Sequence, residues 1–178
     1  QLTNQIKKFF LTKTEANYMI AKLDIEETQS TQAYDGFIQA KQSEIKKLNT
    51  SLGILLDSLL DQSVDKQTFQ QKKLELVSRK KTFEEQISSL GQNRNNWLGP
   101  MRDFIQNAIT TPEIAASHDL MTKKAHAVKI FGSNLKLTDR ILLGEALNPW
   151  AALCAAPTSR NLERLYILVR TYFISNFS

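Results

Sequence analysis

The sequence is poor in the residues that build metal centres and redox sites. Among its 178 residues there is one cysteine, Cys154, and there are two histidines, His118 and His126. A single cysteine excludes an internal disulfide and a cysteine-based zinc site. Cys154 lies in the apolar run WAALCAA and is expected to be a buried core residue, because its flanks lack the cations that stabilise a thiolate. The histidines have no cysteine or carboxylate at ligand spacing, so we expect ordinary helix residues and no metal site.

Sequence motifs of common enzyme sites are also missing. There is no Gly-rich phosphate loop, Walker lysine, GxSxG, HExxH or CxxC. Ser133 follows a glycine, but no base is placed to activate its hydroxyl. Asp57 and Asp61 lie four residues apart, yet paired carboxylates act as acid and base only where burial separates their pKa values. We therefore expect no catalytic residue and no cofactor in this chain.

Long hydrophobic runs are absent as well. No apolar run approaches the roughly 20 residues of a membrane helix, and the start QLTNQIKKFF lacks the apolar segment of a signal peptide. We expect a cytoplasmic protein without membrane contact and, since the first residue is not methionine, a piece of a longer chain. The net charge of +5 has two interpretations, an ordinary solvated surface or a neighbouring polyanion such as DNA.

What the sequence does contain is two apolar runs with a period of seven residues. They are Ile38, Ile45, Leu52, Leu59 and then Phe69, Leu76, Phe83, Leu90. Antiparallel pairing joins 59 with 69 and 38 with 90, and every such pair is centred on Val64. Seven-residue spacing is typical of coiled coils. We predict an antiparallel helical hairpin, an arm, that turns at Asp61–Asp65, where Asp65 is a suitable N-cap for the second helix.

An arm with one apolar seam and two solvated faces has no pocket for chemistry, which indicates a role in contact. The second helix of the arm is also its most basic segment. Four of its lysines are candidate DNA contacts: Lys72, Lys73, Lys80 and Lys81. Gly53 interrupts the first helix at a cost of about 1 kcal/mol relative to alanine, so either packing tolerates it or it marks a flexible point.

The remaining residues predict a small, mostly helical base, so that the fold class is mainly α. The expected segments are linking helices over 1–30, the arm over 31–91, a base over 92–156 with a β-hairpin near 134–143, and a C-terminal helix over 157–178. Thr12 or Thr14 suits an N-cap with Glu15 in the first turn. Pro112 is expected to separate two helices. The C-terminal helix is expected to dock on the core, with a dimer or partner surface as the other interpretation.

Two stretches resemble the large serine recombinases, the family of transposon resolvases and phage integrases. Leu55 to Ile87, LLDSLLDQSVDKQTFQQKKLELVSRKKTFEEQI, is similar to their coiled-coil motif, of the form L-L-x-x-L-L-D-G-x-I-[ST]-x-x-x-[YF]-x-x-K-x-x-E-L. Gln62 replaces the usual glycine, where the turn often needs a left-handed backbone, so glutamine would be strained. Downstream, KKAHAVKIFGSNLKLTDRILLGEALNPW resembles the family's C-terminal pattern, and the resemblance extends over residues 1 to 156.

This resemblance implies a C-terminal regulatory region of a bacterial or phage DNA recombinase. The family's serine catalytic domain and zinc-ribbon cysteines lie upstream, so no catalytic or metal residue is carried over. The family's arm pairs with arms of other subunits in synapsis, and a directionality factor is a further implied partner. The residues carried over are those of the arm tip: Leu59, Leu60, Gln62, Ser63 and Val64. The alternative is an unrelated helical interaction or structural protein without a DNA role.

Overall fold

The computed structural model describes residues 1–92, 95–154 and 160–177. The elements are α1 (Leu2–Ile6), α2 (Lys13–Leu60), α3 (Lys66–Gln92), α4 (Leu98–Ala116), α5 (Leu120–Phe131), β1 (Lys136–Thr138), β2 (Ile141–Leu143), a 3-10 turn (Trp150–Leu153) and α6 (Leu162–Phe177). The predicted class is confirmed: the chain is mainly helical, with a long helical hairpin and a short β-hairpin. Part of the predicted linker at 91–100, and the predicted boundary at 156 and 157, lie outside the described residues.

The chain divides into two compact units. One is formed by Gln1–Glu27 with Asn95–Ser178, and the other by Thr28–Arg94. Helix α2 runs without interruption through Ser30 and Thr31, so those residues lie inside a helix rather than at its end. In the part of the chain that the structure describes, none of the helices combines the length and apolar character needed to cross a membrane.

The unit Thr28–Arg94 contains the helical hairpin, and its burial pattern follows the heptads. Of the α3 side chains described between Lys66 and Leu90, five are half-buried and the rest are exposed; the five are Phe69, Leu76, Lys80, Phe83 and Ile87. On α2, Leu48 is buried and Ile45 and Leu52 are half-buried. The Lys41 ammonium lies 4.7 Å from the centre of the Phe83 ring, which places the two helices side by side in antiparallel order. Leu90, expected in the seam, is 46% exposed instead.

The other unit is built around one hydrophobic core with aromatic side chains at its centre. The Phe104 ring meets Trp150 edge-on at 4.9 Å, and Phe9 meets Phe131 at 5.3 Å. Helix α6 contributes four buried side chains to this core: Leu165, Tyr166, Val169 and Phe173. The docking interpretation of the C-terminal helix is therefore confirmed for these side chains.

Helix α2 begins with a capping box, in which the residues at the N-cap and three positions later bond each other's backbone. The Thr12 hydroxyl accepts from the Glu15 amide, and the Glu15 carboxylate accepts from the Thr12 amide at 2.8 Å. Of the two threonines considered, Thr12 is thus the cap. Both amides would otherwise lack a partner at the helix end.

Pro112 lies inside α4, so the predicted break between two helices is wrong. A proline in a helix leaves the carbonyl four residues earlier without its N–H donor. Here that carbonyl belongs to Ala108, and it accepts a hydrogen bond from the Leu11 amide at 3.2 Å. The helix continues because a distant segment supplies the missing donor. Both residues are buried, so water would not serve as the replacement.

Cys154 and His126 were both expected to be structural, and they differ in burial. Cys154 is exposed, so its expected burial is wrong; it follows the 3-10 turn, whose inward positions are taken by Trp150 and Leu153. Partial desolvation raises the pKa of its thiol, which keeps it protonated.

His126 is buried, and its Nε2 lies 2.8 Å from the Thr111 hydroxyl. It packs edge-on against Trp150 as an ordinary core residue.

The β-hairpin pairs Lys136 with Leu143 and Thr138 with Ile141 in antiparallel register. The two residues between the strands, Asp139 and Arg140, both have positive φ, at 51° and 64°. Positive φ at both central residues is the geometry of the type I′ turn that suits two-residue hairpins. The β-hairpin predicted near 134–143 is therefore confirmed in place, and the structure supplies the type of its turn.

Candidate interaction surface

The turn of the helical hairpin is fixed by its own hydrogen bonds. Gln62 has φ of 62°, the left-handed conformation expected at the position where glutamine replaces glycine. The Ser58 carbonyl accepts from the Val64 amide at 3.1 Å and from the Ser63 hydroxyl at 3.0 Å. These bonds close the end of α2, so the tip is a defined turn rather than a loose loop.

Asp65 caps α3, as expected. Its carboxylate accepts from the amides of Gln67 and Thr68 at 2.9 and 3.0 Å. The hydrogen bonds from the Thr68 side chain and amide lower the pKa of Asp65, and those from Ser63 lower the pKa of Asp61. Both carboxylates are exposed and ionised at neutral pH, and the hydrogen bonds that they accept stabilise the turn.

The five predicted tip residues differ in exposure. Leu59 and Val64 are half-buried, whereas Gln62 and Ser63 are exposed. Leu60 is 73% exposed and is the most exposed apolar side chain of the tip. An apolar group held in water at the end of a fixed turn is typical of a contact surface. The polar side chains around it favour contact that is reversible.

The four candidate DNA-contacting lysines of α3 all have neighbours within their own helix. Three of the ammonium groups lie 3.1, 3.9 and 3.7 Å from glutamate oxygens: Lys72 with Glu75, Lys80 with Glu84, and Lys81 with Glu85. Lys73 lies 5.9 Å from the centre of the Phe69 ring. Exposed pairs of this kind are weak, about 0.3–0.5 kcal/mol, and they are screened by salt. They nevertheless reduce the net positive charge that this face offers to phosphate.

The helical hairpin has a second exposed surface, which was not predicted from the sequence. Beside the seam of α3, Leu74 is 75% exposed and Val77 is 46% exposed. With Gln70, Lys73, Ser78 and Lys81 they line a shallow cavity of about 660 Å³. The signal was present in the sequence, because Leu74 and Val77 occupy heptad positions outside the seam that are polar in a simple two-helix coiled coil.

The unit with the β-hairpin has its own apolar groove. It has a volume of about 520 Å³ and is lined by Leu2, Leu120, Lys124, Ala127, Val128, Gly132, Leu135 and Leu142. Lys124 is its single charged side chain. A groove lined mainly by apolar side chains has the character of a packing surface.

Within the described ranges, no group of three or more His, Cys, Asp or Glu side chains could hold a metal ion. Comparisons with protein-family models, with curated protein sequences and with solved structures gave no match.

Proposed function

We propose that this chain is the C-terminal interaction region of a site-specific serine DNA recombinase. In this proposal the helical hairpin makes subunit–subunit contacts through its tip during synapsis, and a directionality factor acts on the same contacts. The parent chain carries the catalytic serine and the zinc-binding cysteines, and this region supplies no catalytic group. The resemblance of Leu55 to Ile87 and of the 123–150 segment to that family is the basis for naming the reaction.

The observation that carries the proposal is the tip geometry. Leu60 is 73% exposed beside a turn in which Gln62 takes the left-handed conformation that the family's glycine takes easily. The left-handed conformation costs glutamine about 1–2 kcal/mol, so the turn is held against this strain. The fixed turn presents Leu60 to solvent, which supports a contact role.

The experiment compares Leu60→Asp with Ile54→Asp in the full-length parent protein. Ile54 is a matched control because it is 61% exposed on the same helix, away from the tip. We expect Leu60→Asp to abolish the synaptic complex of two DNA sites in a gel-shift assay, while Ile54→Asp leaves it intact and circular dichroism shows both folded. Synapsis unchanged by Leu60→Asp would sink the proposal for the tip.

The alternative is a helical interaction protein without a DNA role. The glutamate partners of Lys72, Lys80 and Lys81 favour it, because they offset the charge that phosphate contacts require. Two observations separate the alternatives. A gene that lacks an upstream nucleophilic serine domain and cysteine cluster favours the alternative. A salt dependence of DNA affinity that is unchanged by neutralising Lys72, Lys73, Lys80 and Lys81 shows that this face does not contact phosphate.

A further inference from the structure

The two helices of the hairpin expose matching apolar stripes on one side of the seam. In an antiparallel coiled coil, equivalent heptad positions of the two helices flank the seam on the same side. Glu44 and Arg79 occupy equivalent positions on one side; the pKa of Glu44 is lowered first by its hydrogen bond from Lys47 and further by the charge of Arg79 on the other helix. The opposite side carries residues with an identical spacing of four, three and four: Asn49, Gly53, Leu56, Leu60 on α2 and Gln70, Leu74, Val77, Lys81 on α3.

This side is named here the e-face because Asn49, Leu56, Gln70 and Val77 occupy heptad position e, while the other four residues occupy position b. It has the features of an unfilled contact. Leu56, Leu60, Leu74 and Val77 are 49%, 73%, 75% and 46% exposed. A Cβ built on Gly53 meets nothing within 4 Å, so no packing within the chain requires a glycine there. The absent side chain instead leaves room for another surface to approach the α2 backbone.

We propose that the e-face binds the e-face of a second copy of this chain in antiparallel orientation. The inference rests on the proposed function, in which the helical hairpin contacts another subunit, and it names the surface and its direction. Identical surfaces related by a two-fold axis are the common solution for homo-oligomers. On α2 the stripe runs from Asn49 to Leu60, and each of these two residues lies five to six residues from the midpoint of the stripe. Antiparallel pairing about that midpoint therefore places Leu60 level with Asn49 of the second copy.

The distribution of charge selects the second copy and its direction. The tip end is acidic, because Asp57, Asp61 and Asp65 outnumber Lys66. About 24 Å further along, at 1.5 Å per residue, the hairpin is basic, because its five cations outnumber its three glutamates: Lys46, Lys47, Arg79, Lys80 and Lys81 against Glu44, Glu84 and Glu85. Antiparallel pairing brings the acidic end of each copy level with the basic segment of the other. Parallel pairing would place acidic ends together, and like charges in contact are unfavourable.

The size of the e-face indicates a weak dimer. Four partly exposed apolar side chains on each copy form a small interface compared with the roughly 1,600 Å² buried in stable complexes. Contacts of this size are transient in isolation. They become effective where DNA or other domains raise the local concentration of the two copies.

The first test measures self-association of the 178-residue chain by sedimentation velocity at increasing concentration. We expect Leu74→Asp and Val77→Asp to weaken the dimer at least roughly tenfold, the change produced by losing one well-packed apolar contact. Ile54→Asp, on the other side of α2, is expected to leave it unchanged. Equal dimerisation of all variants, or a wild-type chain that stays monomeric at millimolar concentration, overturns the proposal.

The second test fixes the direction by disulfide trapping in a Cys154→Ala background. A mixture of Leu60→Cys and Asn49→Cys chains is expected to form the mixed disulfide dimer, whereas Leu60→Cys alone is not. Efficient trapping of Leu60→Cys with itself shows parallel pairing and overturns the proposed orientation.

Different experimental outcomes contradict the recombinase proposal and the e-face proposal. If Leu60→Asp abolishes synapsis in the parent protein but Leu74→Asp and Val77→Asp do not, the tip is the contact and the e-face inference is wrong. If the e-face variants abolish dimerisation of this chain but no variant affects synapsis, the e-face is a self-association surface and the recombinase proposal is wrong.

Discussion

The Arg160 Nε lies 2.7 Å from a Glu15 carboxylate oxygen, and both side chains are 3% exposed. This contact is an ion pair and not a hydrogen bond, because the Nε–H of Arg160 makes no hydrogen bond. The remaining guanidinium N–H groups donate to the carbonyls of Phe10 and Leu153 and to the other Glu15 oxygen. That oxygen also accepts from Thr12 in the capping box. The start of α2 is thereby connected to a residue 145 positions later.

Removing the arginine should therefore be costly. We expect Arg160→Met to destabilise the chain by about 3–5 kcal/mol in urea unfolding, because it leaves the Glu15 carboxylate buried without a counter-ion. Arg164→Met is the control, since Arg164 is exposed, and it should change stability by less than about 0.5 kcal/mol. An equal effect of the two substitutions would show that the buried pair is not required.

His126 should make stability depend on pH below neutrality. Burial first, and then the charge of Lys129, lower the pKa of His126 from 6.5. The folded protein therefore keeps a neutral ring at a pH where the unfolded chain already binds a proton. The contribution is fully present above pH 6.5, is lost as pH falls toward the lowered pKa, and then levels off.

The measurement for His126 is urea unfolding between pH 7.5 and pH 5. We expect His126→Gln to flatten this part of the profile, although the substitution also lowers stability at pH 7.5. His118→Gln is the matched control because His118 is exposed, and its profile should follow that of the unmodified chain. A fall in stability as steep in His126→Gln as in the unmodified chain would assign the effect to other groups.

The strained turn should be relieved by glycine. Gln62→Gly removes a left-handed glutamine, and we expect a gain of about 0.5–1 kcal/mol after allowing for the greater freedom of glycine in the unfolded chain. Gln67→Gly, inside the first turn of α3, is the control and should lose up to about 1 kcal/mol. Opposite signs in thermal unfolding confirm the conformation of residue 62, and a loss for both would contradict it.

Gly53 should tolerate a methyl group. Since a Cβ there meets nothing within 4 Å, we expect Gly53→Ala to raise stability by about 1 kcal/mol through helix propensity. Gly132 is the contrasting position, because it has φ of 56° and its Cβ would lie 2.9 Å from a Leu147 methyl carbon. Gly132→Ala should destabilise the chain, and the comparison separates an open glycine from a required one.

Local sequence signals predicted the parts of the fold that depend on neighbours in the chain. The heptads predicted the seam, Asp65 was predicted as the N-cap of the second helix, and the β-hairpin was predicted near 134–143. The same reasoning misplaced Leu90 and Pro112. A heptad fixes which side of a helix a residue lies on, but whether Leu90 is covered depends on its partner. A proline normally interrupts a helix, and the donor that satisfies Ala108 comes from Leu11, which no local pattern connects to it.

The candidate site, like the fold, was predicted from the sequence only in part. The sequence identified the turn and the residues around Val64, including the left-handed position. It did not distinguish Leu60 from the half-buried Leu59, because that depends on the turn's geometry. The buried pair of Glu15 and Arg160 was also missed, since an arginine in a polar segment carries no sign of burial.

The hydrogen bond from Leu11 to Ala108 also bears on the order of folding. Until the N-terminal residues reach α4, the middle of that helix has a carbonyl without a partner, and a growing chain has made residue 11 long before residue 108. Contacts between residues so far apart in sequence form late and slow the folding reaction. The stability of α4 and the docking of the first eleven residues should therefore be gained in one cooperative step.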